Sequence, residues 1–255
     1  MHFFVMKSKT LKLLFVFILV MIILSLNING TTGAQVFFGK IDRKIPIYSV
    51  ERTDKNIAIS FDAAWGADKT EKIMEILKEH NCNATFFLVG FWVDKYPDLV
   101  KKINENGFEI GTHSNTHPDM AKLDSENIKI ELETSKQKIE TLIDKKVTLF
   151  RAPFGSYNNN LLSIAEGLGL YTIQWDVDSL DWKGISGNQI SSNIITKVDS
   201  GSIILCHNNS DHIIDALPSV LSSLKQRGYN FVTIGELIYK SDYRIDSTGK
   251  QIKNI

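Results

Sequence analysis

Ile57-Ala58-Ile59-Ser60-Phe61-Asp62 is a β-leaning apolar run closed by a carboxylate. Apolar residues follow one another instead of alternating with polar ones. Both faces of the strand they predict are therefore buried, as in a parallel sheet covered by helices. The same unit recurs outward along the chain. Asp68 with Glu71 reads as a capping box for a helix whose inner face is Ile73, Ile76 and Leu77. Residues 84–89 predict the next strand, Pro97 opens a helix with Val100 and Ile103 inward, and Gly107 ends it. Strand 108–112 leads to a long helix with Ile128, Leu132, Ile139 and Leu142 on one stripe. Strand 148–150, helix 161–166, strand 170–175, helix 188–198, strand 202–206, a helix from Pro218 to 227 and strand 230–234 complete the series. This βα alternation, repeated about seven times, predicts an α/β fold with a parallel sheet. Polar clusters stand at the C-terminal ends of five different strands, which favours a barrel over an open sheet.

The 255 residues are 43% hydrophobic and 23% charged, and 29 Lys+Arg balance 29 Asp+Glu. That is a globular composition, with no basic excess to hold a nucleic-acid backbone. Two cysteines, Cys82 and Cys206, are too few for a disulfide framework and read as buried small hydrophobes. Near the N-terminus, Lys7, Lys9 and Lys12 precede an unbroken apolar run over 13–24. It is short for a membrane span and suited to a signal-peptide core, with Thr32-Gly33-Ala34 offering small residues for cleavage. An uncleaved signal-anchor is the alternative, and either exports the remainder.

The clusters carry the chemistry. Asp62 is placed to act as a general base or metal ligand, or simply to cap the turn after its strand. His113 and His117, four apart in His113-Ser114-Asn115-Thr116-His117-Pro118, can aim both imidazoles at one point. Arg151, opening Arg151-Ala152-Pro153-Phe154-Gly155, can orient a carboxylate or form a structural ion pair. Asp176, Asp178 and Asp181 crowd beside Trp182. His207 follows four apolar residues, and a carboxylate such as Asp181 would hold it in one tautomer and raise its pKa, making it a general acid. Together these groups suit metal-assisted hydrolysis.

In order and wording the five clusters resemble the polysaccharide deacetylase family, carbohydrate esterases with a NodB homology domain. The resemblance covers about residues 55–240, and Phe61-Asp62-Ala63-Ala64-Trp65-Gly66 is similar to the sporulation-associated PdaB-like branch. It implies a distorted (β/α)7 barrel that removes N-acetyl groups from a glycan, peptidoglycan first, hydrolysing a C–N bond other than a peptide bond. Asp62 would be the base and His207 the acid, with Arg151 orienting Asp62 and Asp181 tuning His207. His113 and His117 would hold a divalent metal, zinc first, with cobalt or nickel as alternatives. Trp182 and Leu205 would line the acetyl pocket, with Trp65 and Phe154 as further substrate-binding residues.

One departure stands out. Where the family carries a second aspartate as metal ligand, this chain has Ala63. A weaker metal site follows, with three outcomes open: Asp62 ligates the metal at the expense of its role as base, another group such as Asp119 or a substrate oxygen fills the place, or the chain is a glycan-binding relative with little or no turnover and a structural role. The expected organisation is a signal segment over 1–34, an extended lead-in over 35–55, the deacetylase domain over 56–240 and a polar tail over 241–255 that frays. The protein is expected outside the cytoplasm, secreted or anchored at the cell wall, with a glycan and no nucleic acid as partner, and monomeric by default.

Overall fold

The computed structural model describes residues 8–28 and 43–254. Residues 8–28 are helix α1 (Ser8–Ile28), whose side chains from Leu13 to Ile22 are all exposed. Among the described residues, no helix is long and apolar enough to cross a membrane. The proposed cleavage residues Thr32-Gly33-Ala34 and the first part of the lead-in lie outside the described residues. Residues 44–255 form a separate compact unit.

In that unit the elements run β1 (Ser49–Val50), β2 (Asn56–Ala63), α2 (Thr70–Glu79), β3 (Thr85–Leu88), α3 (Gly90–Lys95), α4 (Pro97–Glu105), β4 (Glu109–Thr112), α5 (Ser125–Ile143), β5 (Leu149–Phe150), α6 (Asn159–Gly167), β6 (Tyr171–Thr172), β7 (Val177–Asp178), α7 (Gly187–Ile195), β8 (Ile203–His207), α8 (Ile213–Gln226), β9 (Asn230–Phe231), α9 (Ile234–Leu237), β10 (Tyr243–Ile245) and β11 (Lys250–Lys253). Seven strands pair in parallel in the order β6-β5-β4-β3-β2-β8-β7, and β9 joins the start of β2. This is the α/β barrel that the strand-end clusters favour, in the distorted (β/α)7 form that the family resemblance implies.

The pleat divides the residues of β2 between two cores. Ile57, Ile59, Phe61 and Ala63 join the cluster under the helices, whereas Ala58 joins a second cluster with Phe87, Leu149, Ile173 and Ile203. Ile234 and Leu237 of α9 belong to that second cluster too. Ser60 and Asp62 share the pleat face of Ala58.

The barrel's edge strands, β6 and β7, are consecutive in the chain with no helix between them. The lead-in mends this seam. Ile47 bridges to Ile173, donating to Thr172 O and accepting from Gln174 N, and Ser49 bridges to Ser202. Gly201 lies where the lead-in crosses, with φ +81°, and an added Cβ would overlap the carbonyl of Val50. Gly201→Ala is expected to lower the unfolding free energy by about 2 kcal/mol, read from the urea midpoint.

Several expectations are corrected. The Asp68–Glu71 capping box does not form, because Glu71 is drawn to Lys102 (2.6 Å) and Asp68 turns to Lys69 (3.4 Å); α2 has no side-chain cap. Pro218 does not start its helix. The buried stripe Ile213, Ala216, Leu217, Val220, Leu221 and Leu224 begins α8 five residues earlier and carries it through the proline. The run 170–175 is not one strand: its pairing with β5 ends at the bond from Ile173 N to Phe150 O, and Gln174 N turns to Ile47 O on the way to β7. The run 230–234 breaks at Thr233, whose capping box with Glu236 starts α9. The tail does not fray. Its β10–β11 hairpin is antiparallel, β11 pairs with β1, and buried Gln251 bonds both backbone groups of Tyr239 at 2.8 Å. Both cysteines are free and buried, as expected.

Candidate active site

The five clusters converge on one mouth of the barrel. The β2–β8 register sets Asp62 directly beside His207 and Ser60 beside Leu205. Beneath them the Arg151 guanidinium is fully buried, 4.2 Å above the Phe87 ring. Its Nη1 donates to Asp62 Oδ1 (2.7 Å) and to Ser60 Oγ (2.9 Å), and Nη2 donates to Gln174 O (3.2 Å). Ser60 in turn donates to Ile204 O (2.7 Å), which leaves its oxygen free to accept from Arg151. Burial raises the pKa of Asp62, but the charge of Arg151 first, with those of His113 and His207 where these are protonated, overrides it and holds the carboxyl below its ordinary value.

On the next strand but one, His113 lies at the end of β4. Its Nδ1 is 2.8 Å from Arg151 O. A carbonyl only accepts, so Nδ1 carries the proton and Nε2 keeps its lone pair. That lone pair faces Asp62 Oδ2 at 3.5 Å. His117 packs edge-on against His113, with ring centroids 4.9 Å apart. Burial lowers the pKa of His113 and takes His117 down to about 4, so both rings are neutral near pH 7. Two electron-pair donors 3.5 Å apart repel unless a proton or a metal ion lies between them. The donors therefore suit a divalent cation, neutral imidazole and carboxylate being ordinary ligands for zinc. They fall short of a complete protein shell: no group of three His, Cys, Asp or Glu side chains converges as a metal site among the described residues, and Ala63 offers only a buried methyl.

Opposite the histidine pair, Asp181 clamps His207 twice. Oδ2 accepts from the backbone N–H (2.8 Å) and Oδ1 from Nδ1 (2.7 Å). The proton that His207 can give away is therefore on Nε2. Burial lowers the pKa of His207, but the hydrogen bond and charge of Asp181 outweigh it, and the value ends above the ordinary one. The other two acids of the cluster have local tasks. Asp176 accepts from Ser202 Oγ and Ile203 N, and Asp178 from Leu180 N.

Three aromatic side chains of the motif loops are solvent-exposed: Trp65, Phe154 and Trp182. Trp65 and Phe154 both pack edge-on to His117, with centroids at 4.9 and 4.8 Å. Trp182 stands on the 3-10 turn after Asp181, and Leu205 is buried one pleat below His207. The loops are strained here. Ser114, His117, Phe154 and Leu180 all have φ between 57 and 71° without being glycine. Such conformations persist where surrounding contacts over-determine them, most often at functional sites.

Two contributors were not singled out from the sequence. Ser60 belongs to the first motif, and its period-two relation to Asp62 is the signal that puts both on one face. Asn208 has no such signal. Fully buried, it donates to Gly66 O (3.0 Å) and Thr70 Oγ1 (3.1 Å), fixing the loop after Asp62 to that after His207.

Comparison with known proteins adds to this geometry. A model of the polysaccharide deacetylase family matches residues 49–173, a span that includes Asp62, His113, His117 and Arg151. YlxY of Bacillus subtilis (strain 168), an uncharacterized protein, is 35% identical over 76% of this chain and 60% of its own length. The chain thus spans less than two thirds of that relative. A peptidoglycan-N-acetylglucosamine deacetylase of Bacillus cereus is 31% identical over 83% of this chain and 78% of its own. Among solved structures, wild-type BA3943 of Bacillus anthracis, a CE4 family pseudoenzyme, superposes with a TM-score of 0.74 at 32% identity, covering 82% of this chain and 73% of that one. A BA3943 mutant with restored enzymatic activity gives 0.73 at 36% identity, covering 75% and 70%.

Proposed function

The chain belongs to the polysaccharide deacetylase family, and from that premise we propose that it removes N-acetyl groups from cell-wall peptidoglycan, outside the cytoplasm, with Asp62 as base and His207 as acid. One observation carries this reading: Asp62 and His207 are ladder neighbours at the barrel mouth, each with a partner that holds the charge state its task requires. Asp62 takes a proton from water as the water oxygen bonds to the acetyl carbonyl carbon. The C–N bond breaks, and His207 Nε2 gives its proton to the leaving nitrogen, releasing acetate and a free amine. Proton exchange with solvent then resets both groups. A divalent ion held by His113 and His117, with zinc first and cobalt or nickel as alternatives, would supply Lewis-acid polarisation of the carbonyl and a more acidic water. Leu205 and Trp182 bound the acetyl methyl, while the exposed faces of Trp65 and Phe154 take sugar rings. The apolar helix α1 fits an export segment, cleaved or kept as an anchor, and a role in sporulation fits the wording of the first motif.

The test is acetate release by the full chain from N-acetylated glucosamine oligomers and from peptidoglycan. A chelator is expected to remove at least about nine tenths of the rate and added zinc to restore it. No release with zinc, cobalt or nickel would overturn the reading.

Ala63, together with the likeness to a pseudoenzyme, favours a second reading: glycan binding with little turnover. Ala63→Asp separates the two. A third protein ligand is expected to tighten zinc binding by at least about tenfold, the scale on which even outer partners of a ligand act, measured by titration calorimetry. If acetate release appears only in this variant, the second reading holds for the wild type. Unchanged affinity means the side chain at 63 does not reach the ion.

A further inference from the structure

Glu131 lies in the middle of α5, outside every motif, yet its carboxylate is spent on the loop that carries the histidine pair. Oε2 accepts from the backbone N–H of Asn115 and of Thr116, both at 2.8 Å, and Oε1 accepts from Thr116 Oγ1 at 2.6 Å. Asn115 and Thr116 are the link between Ser114 and His117, the two residues of this loop in left-handed conformations at φ 71 and 60°. Other contacts close the loop from its remaining sides. Ser114 Oγ accepts from His117 N (2.9 Å), Gly90 N and Phe91 N donate to the carbonyls of Ser114 and Asn115, and Lys138 Nζ donates to Asn115 Oδ1 (3.0 Å).

We propose that Glu131 is a positioning residue for the site, fixing the strained turn that brings the His117 ring to within 4.9 Å of His113. The proposal deepens the metal reading given above and rests on it only for the consequence, not for the geometry. Two adjacent amides pointing at one carboxylate oxygen hold the peptide planes on either side of Asn115 in a fixed relation. Removing the carboxylate leaves both amides without that partner, and the left-handed residues lose the contact that over-determines them. Outer partners that orient a ligand typically change metal affinity by 10–100-fold. A glutamine at 131 keeps one carbonyl oxygen for the two amides. Its NH2 can donate to Thr116 Oγ1, which is able to accept once its own proton turns elsewhere.

The experiment uses the full chain as wild type, Glu131→Ala and Glu131→Gln, with two readouts. Without metal, the nuclear Overhauser contact between the His113 and His117 rings and the exchange protection of the Asn115 and Thr116 amides are expected in the wild type and in Glu131→Gln, and lost in Glu131→Ala. With zinc, affinity is expected to fall by at least about tenfold in Glu131→Ala and to stay within about threefold in Glu131→Gln. A ring contact that survives in Glu131→Ala overturns the proposal, as does a glutamine variant that loses as much as alanine. A wild type that binds no zinc but follows the expected ring-contact pattern sinks the metal reading and leaves the positioning role standing.

Discussion

Asp62→Asn is expected to cut acetate release by about 10²–10⁴-fold and to lower the unfolding free energy by about 3–5 kcal/mol. The first effect follows from removing the base. The second comes from beneath it. Arg151 has no exposed surface, and Asp62 is its one ion-pair partner among the described residues. Asparagine keeps an oxygen for Nη1 but no charge, so a buried guanidinium is left with the Phe87 and Trp175 rings, Ser60 and a carbonyl for company. The two effects can be pulled apart. Adding Arg151→Met to Asp62→Asn removes the stranded charge, and stability is expected to recover by a few kcal/mol while activity stays lost. Urea unfolding and the acetate assay read both. Activity within tenfold of the wild type in Asp62→Asn would remove Asp62 from the chemistry.

Asp181→Asn is expected to lower kcat/KM at pH 7.5 by at least about 10²-fold and to move the alkaline limb of the pH profile to lower pH. His207 acts protonated, and its pKa lies above the ordinary imidazole value because Asp181 outweighs burial. The alkaline limb of the wild type therefore lies above about 6.5. Without the carboxylate, burial remains and pulls the other way. Geometry adds to this. Asp181 accepts from both the backbone N–H and Nδ1–H of His207. An asparagine has one oxygen for two donors, and if it serves the backbone, its NH2 faces Nδ1 and favours the neutral tautomer with the proton on Nε2. The stability effect has the same sign logic. A raised folded pKa means that the pair stabilises the fold fully below the unfolded value, and that this is lost as pH rises through the folded value. A pH profile unchanged by Asp181→Asn would mean that His207 is not the acid.

The mouth of the barrel was legible because its residues follow strands, and apolar strands ending in polar residues are written openly in the chain. Asp62, Arg151 and His207 each stand one residue after an aromatic or apolar run, and the parallel register then brings them together. What was not legible depends on partners far away in sequence. Glu71 looks like half of a capping box until Lys102 comes within 2.6 Å. Pro218 looks like a helix start until the buried stripe from Ile213 is seen to run through it. Glu131 reads as one more charge on an amphipathic helix, since nothing local says that two amides of another loop will face it. Trp65 and Phe154 appear in the motifs, but only the fold shows both rings against the same histidine.

The mended seam has a consequence for the order in which the molecule can be completed. Ile47 needs Thr172 and Ile173, and Ser49 and Val50 need β11, which ends at Lys253. The earliest part of the domain to leave the ribosome is thus among the last to find its partners, a long-range closure of the kind that slows folding. A chain halted before Lys250 leaves β1 unpaired along β11's side and its backbone groups open to other chains, so β11 covers the strand that bridges the seam.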